Sequence, residues 1–163
     1  MAIEVSDYPD VQERARFLGC QVPTEIAILP TNFVNATERR ELTHASSAMT
    51  VRALLKEAGV KETRIEPEDV KFPSEHKKAA DWIGPTIFFS AVLLSQNPQV
   101  IEVALGIVSN YLTDLFRGTL QSAKSTLDVV VKSPKGYKRI HYEGSQKGLA
   151  EVRETVREVI KHG

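Results

Sequence analysis

Cysteine is almost absent. The chain of 163 residues holds a single one, Cys20, so no internal disulfide is possible and nothing indicates an oxidising compartment. A cytoplasmic location is the expectation. Aromatic side chains are scarce at 7%, and apart from Tyr137-Lys138-Arg139 and His141-Tyr142 they are not interleaved with basic ones. A platform that stacks single-stranded bases needs more than this, which leaves nucleic acid a minor candidate as partner. Excess charge of either sign is missing too, with 21 basic and 21 acidic residues. The sequence also lacks a Walker A loop, a dinucleotide glycine fingerprint, a zinc-type cysteine pair, a His-Glu-x-x-His helix and a nucleophile elbow. Several large enzyme classes lose support, and no metal or other cofactor is expected. Residues 1–7 have neither a basic n-region nor an apolar h-region, so no signal peptide is expected and the mature chain is expected to start near Met1. No internal repeat, low-complexity tract or glycine-serine linker occurs.

What is present fits one domain, because 163 residues with 42% apolar content suffice to fill a single core. Charge is displaced along the chain. Residues 1–81 carry 11 basic and 14 acidic groups, residues 82–116 carry only Glu102 and Asp114, and residues 117–163 carry ten basic and five acidic groups, so the last part is +5 and the rest −5. Such polarity suits a basic surface that meets phosphate or an acidic partner, or two faces that attract each other in a homo-oligomer.

The apolar run over residues 82–116 is divided at Asn97-Pro98. A spanning helix needs about 20 apolar residues, and the half after Pro98 includes Glu102, Asn110 and Asp114, so no stable membrane span is expected. The expectation is a pair of apolar helices, the first opening at Pro85 and the second at Pro98. So few charges favour burial of its outer surface against a second copy or a larger protein, with Ile101, Leu105, Leu112 and Phe116 as interface candidates.

Elsewhere, residues 11–18 read as a short helix ended by Gly19, and residues 25–30 as a strand covered on both faces and therefore central. Asn35 and Glu38 have capping-box spacing for a helix running to Ala58, and a short strand is expected over residues 63–66. Residues 66–78 read as a surface connection, extended around residues 70–72. Residues 127–132 and 137–143 read as a hairpin whose Ser133-Pro134-Lys135-Gly136 loop suits a type I turn with a G1 bulge. If Ser133 pairs with Tyr137, Val130 lies opposite Ile140, and Asp128 lies opposite Tyr142, away from His141. A final helix buries Leu149, Val152, Val156, Val159 and Ile160 in one stripe.

The fold class expected is a single layered α/β or α+β domain of about four strands, with helices packed on the sheet and a central apolar helical pair. Its parts are an N-terminal helix or arm over 1–24, a β-α-β unit over 25–81 with a parallel crossover, the helical pair over 82–118, and a hairpin plus C-terminal helix over 125–163.

Three constellations can carry chemistry. Arg139, His141 and Glu143 alternate along one strand, so guanidinium, imidazole and carboxylate project from one face near Lys132, Lys135 and Lys138. That combination can move protons, with His141 and Glu143 as catalytic candidates, or bind an anion. It can equally be a solvated edge with a Glu143 to Arg139 pair. Ser145 and Lys147 lie in the strand-to-helix loop 144–148, which can cradle an anion through its backbone N–H groups. His44 and Ser47 have i to i+3 spacing on the expected helix, with no acidic residue placed to orient the histidine.

The leading expectation is a small, non-enzymatic, prokaryotic-type cytosolic module that self-associates or docks on a larger protein through helices 82–116. An alternative is a nucleotide- or phosphate-binding sensor or phosphate-directed enzyme using Arg139, His141, Glu143 and Lys147. A third is a membrane-active effector that exposes the apolar helices.

Overall fold

The computed structural model describes residues 2–75, 81–117, 124–145 and 148–163. Five strands lie among the described residues: β1 (Ala2–Asp7), β2 (Ile26–Leu29), β3 (Trp82–Phe89), β4 (Ser125–Ser133) and β5 (Gly136–Gly144). Five α-helices accompany them among the same residues: α1 (Val11–Phe17), α2 (Ala48–Glu57), α3 (Ala91–Gln96), α4 (Val100–Leu115) and α5 (Leu149–His162). The strands make one sheet of order β1-β5-β4-β3-β2, in which only β3 and β4 run parallel. The expected layered α+β domain is observed, with five strands instead of about four.

Alternation along the strands divides the core in two. On one face Ile28, Ile87, Phe89, Val129, Val131 and Ile140 pack under α2, α4 and α5. On the other, Ala27, Leu29, Phe88, Val130 and Tyr137 are covered by α1 and by Phe33, Leu42, Ile65 and Phe72 from connecting segments. Arg14 of α1 fixes that cover by donating to the carbonyls of Phe33 and Ala36, at 2.6 and 2.8 Å.

The first half of the apolar run is a strand and not a helix. β3 lies between β2 and β4, and its pairing with β4 is interrupted between Ile83 and Thr86. Pro85 sits in that irregularity, where a missing N–H costs no ladder bond. Gly84 is required beside it, because a Cβ there would lie 2.5 Å from the Trp82 ring and 2.6 Å from the Thr126 carbonyl oxygen. The two parallel strands of the sheet are joined by the crossover β3-α3-α4-β4, while within the described part of residues 25–81 the parallel pairing on either side of α2 is limited to isolated bridges, Ile26 to Glu62 and His44 to Ser74. Detaching the whole run 82–116, as a membrane-active reading requires, would pull out this interior strand. No helix among the described residues is long and apolar enough to cross a membrane.

β2 is an edge strand by hydrogen bonding, although all four of its residues are buried. Its outer side is covered by the segment that was expected to form a strand over 63–66. That segment makes a single bridge, Ile26 to Glu62, with Thr63 N donating to the Ile26 carbonyl at 2.7 Å. The long helix expected from Asn35 reduces to α2. Before it the chain turns through a 3-10 segment, Arg39–Glu41, held by Thr37 Oγ1 donating to Glu41 Oε1 at 2.7 Å and by Asn32 Nδ2 donating to the Glu41 carbonyl at 2.7 Å. These side-chain bonds offer the backbone an alternative to the helix. Residues 70–72 form no strand, and Phe72 is buried in the second core. β1 was not anticipated from the sequence. It pairs antiparallel with β5, Glu4 opposite His141 and Ser6 opposite Arg139.

Candidate functional site

The hairpin register decides which side chains meet. Ser133 pairs with Gly136, not with Tyr137, and the pairing continues in step to Ser125 and Gly144 without a bulge. Gly136 closes the two-residue loop at φ 111°, a conformation other residues avoid. A slip of one residue transfers every side chain to the opposite face. Asp128 therefore lies opposite His141 on the same face, which corrects the expectation that it points away.

Asp128 Oδ1 is 2.5 Å from His141 Nδ1, and Oδ2 is 3.9 Å from the Arg139 guanidinium. A carboxylate facing the ring nitrogen makes Nδ1 the donor. Nε2 has no hydrogen-bond partner among the described residues, and the His141 side chain is 29% exposed, with Asp128 21% exposed. Arg139 is 40% exposed but its Nε is buried and unpartnered among the described residues. Half-buried Tyr8, at the end of β1, completes the group. Burial pushes its phenol well above the ordinary 10, the Asp128 charge adds to this, and Arg139 and Arg14 oppose it. Tyr8 is consequently a neutral O–H donor at physiological pH.

Together these residues form a polar shelf on the second face of the sheet, beyond the cover supplied by α1. Its position follows from alternation: Val130 and Tyr137 end the apolar half, and Asp128, Arg139 and His141 begin the polar one. Thr86 of β3, paired with Asp128, and Glu143, half-buried on β5, border it.

Of the residues expected to bind or catalyse, Arg139 and His141 are brought together. Glu143 pairs with Lys124 at 3.7 Å instead of Arg139. Ser145 accepts a hydrogen bond from the Tyr142 phenol through its carbonyl. Lys147 lies outside the described residues. Asp128 and Tyr8 were missed as site members. The signal for Asp128 was its place on a β-rich run, which a different register would have read correctly. Among the interface candidates, Ile101, Leu105 and Leu112 are 4%, 1% and 0% exposed and belong to the core under α4, while Phe116 is partly buried against it. Among the described residues no group of His, Cys, Asp and Glu is arranged to hold a metal ion.

A second charged cluster is built into the fold beside α2. Arg52 Nη2 lies 2.8 Å from Glu62 and its Nη1 3.0 Å from Glu66, which also meets Arg64 at 3.2 Å. His44 is not on a helix; it is buried against Phe72, with Nε2 3.5 Å from Glu66. This acidic neighbour comes from a segment 22 residues further on and not from a helical position beside His44. Ser47, its supposed partner, instead donates to the Ile83 carbonyl at 2.5 Å and ties α2 to β3. Burial works against ionisation of Glu66, but the His44 ring and the Arg52 guanidinium outweigh it and lower the carboxyl from 4.5 to about 2. The Arg52 contact is the firmer of the two, since neither ring nitrogen of His44 makes a regular hydrogen bond.

That depression fixes a pH dependence. A carboxyl with a lower pKa folded than unfolded stabilises the protein above its unfolded pKa and ceases to do so as pH falls through the folded one. Stability measured by urea unfolding should drop by roughly 3 kcal/mol from this group between pH 4.5 and 2. In Glu66→Gln that part of the slope should vanish. An unchanged slope would show that the carboxyl is not held by the cluster.

The chain matches no family model, no curated protein and no solved structure.

Proposed function

We propose that the polar shelf is the working site of a small acid–base enzyme that hydrolyses or transfers an acyl group on a small polar carbonyl compound. The observation that supports this reading is the 2.5 Å contact of His141 Nδ1 with Asp128, on a side chain that is 29% exposed and whose Nε2 has no hydrogen-bond partner among the described residues. In the proposed step Nε2 takes the proton from a water or hydroxyl as its oxygen bonds to the carbonyl carbon, and the carbonyl π pair moves onto oxygen. Asp128 steadies the imidazolium that results, while Arg139 offers its guanidinium to the developing oxyanion. Collapse of the adduct expels the leaving group, which takes the proton back from Nε2.

Phosphate chemistry is the weaker alternative on charge grounds. Around the neutral His141 ring of the proposed step, Arg139 already faces Asp128, Lys124 faces Glu143 and Lys138 faces Asp7, while Arg14 is held by the Phe33 and Ala36 carbonyls and Lys132 lies over the Tyr137 ring. A phosphate dianion finds only the Arg139 guanidinium at the His141 ring, shared with Asp128, which suits a single developing negative charge better than two.

Hydrolysis of p-nitrophenyl acetate tests the reading without knowledge of the natural substrate. His141→Gln and Asp128→Asn should each lower the rate at least tenfold while leaving the circular dichroism spectrum unchanged, in line with general-base contributions of about 10²–10⁴. Full activity in His141→Gln would remove the proposal, as would a wild-type rate no higher than that of free imidazole at equal concentration.

A second reading keeps the expected self-association but moves its surface. Val92 on α3 and Val103 and Leu115 on α4 are 58%, 47% and 46% exposed, and they lie on the outer side of the helical layer. A second copy covering this side would bury them. Sedimentation at micromolar concentration should then show a dimer that Val103→Glu dissociates; a wild-type monomer would eliminate this reading.

A further inference from the structure

The helical layer on the opposite side of the sheet from the shelf contains a cleft of about 280 Å³ between the α3–α4 junction and one side of α5. Leu94, Pro98, Ile101 and Ile160 give it an apolar floor. Its rim is basic: Arg153, Arg157 and Lys161 against the one carboxylate of Glu102. Glu102 is already paired with Arg157, which also contacts Glu154 at 3.1 Å. Arg153 and Lys161 have no ion-pair partner among the described residues.

The three cations recur every fourth position on α5 and so stand in one row. The middle cation of the row, Arg157, is met by Glu102 and Glu154, which leaves Arg153 and Lys161 as its two members unpaired among the described residues. Proximity to the helix C-terminus compensates Lys161, but Arg153 lies in the first half of α5, where that benefit is absent. An anion in the cleft would meet these two cations. The apolar floor calls for a hydrocarbon body on that anion, and a volume just below the usual ligand range of about 300–1,000 Å³ limits the body to a short stem.

We propose that this cleft binds a medium-chain carboxylate, its stem against Ile101 and Ile160 and its head between Arg153 and Lys161. The site is independent of the acid–base shelf, since it lies on the other face of the sheet and shares no residue with it.

Titration calorimetry and methyl NMR with octanoate as the probe test the assignment. Octanoate should bind and shift the Ile101 and Ile160 methyl signals. Octanol, which has the stem without the charge, and acetate, which has the head without the stem, should each bind at least tenfold more weakly. Arg153→Glu combined with Lys161→Glu should weaken octanoate at least tenfold, and the milder Arg153→Gln with Lys161→Gln should do so by a smaller factor if the charge-reversed protein folds poorly. The proposal is overturned if octanoate fails to bind at millimolar concentration, if octanol binds as well, if neither double variant weakens binding, or if the shifts appear elsewhere.

Discussion

Leu105→Asp is expected to leave no folded protein at 25 °C, whereas Val103→Glu, two positions away on the same helix, should fold with stability within about 0.5 kcal/mol of the parent. Leu105 is 1% exposed among the residues that α4 presses onto the sheet, and Val103 is 47% exposed. Truncating a buried leucine costs about 2.7–5 kcal/mol by itself. An unpaired carboxylate in the same place adds several more, or must take up a proton to avoid it. Together these approach the 5–15 kcal/mol that holds a domain of ordinary stability. Circular dichroism and urea unfolding read both variants, and a well-folded Leu105→Asp protein would mean that α4 presents its other face to the sheet.

Arg52→Ala is expected to cost about 3–5 kcal/mol, the range for removing one partner of a buried ion pair. Arg52 separates Glu62 and Glu66, whose side chains are 11% and 3% exposed, and without it the two carboxylates face each other with little water. In a chain of this length the melting temperature should fall by about 10 °C. Arg64 contacts the same Glu66 but is 52% exposed, so Arg64→Ala should cost less than about 1 kcal/mol. Equal losses in the two variants would contradict the central place given to Arg52.

Both predictions depend on positions that local sequence pattern could not settle. The stripe Ile101, Leu105 and Leu112 was legible as one face of a helix, yet periodicity does not say whether such a face meets its own sheet or another molecule. Trp82–Phe89 is a continuous apolar run, which fits a buried strand and a buried helix equally well; Pro85 was read as a helix start, and the sheet uses it at an irregularity. The hairpin was plain from its β-branched runs and its Pro-Lys-Gly loop. Its register was not, because Ser133-Pro134-Lys135-Gly136 accommodates a two-residue loop or a bulged one, and only pairing over the whole strand selects between them.

The same ambiguity hid the site. Arg139 and His141 were visible as alternating residues on β5, while Asp128 depended on the register and Tyr8 on the pairing of β1 with β5, a contact between the two ends of the chain. Charge clusters assembled from distant segments, such as His44, Arg52 and Glu66, leave no local trace at all. The helices that are amphipathic by themselves, α1 and α5, were read nearly to their ends.

The protonation pattern of the His141 ring tests the central claim most directly. Long-range proton–nitrogen correlation spectra of the neutral imidazole should show the proton on Nδ1 and a bare Nε2, and Asp128→Ala should move the proton to Nε2, the form a free histidine side chain prefers. A wild-type ring already protonated on Nε2, or a pattern that Asp128→Ala leaves unchanged, would contradict an Asp128–His141 pair poised for proton transfer.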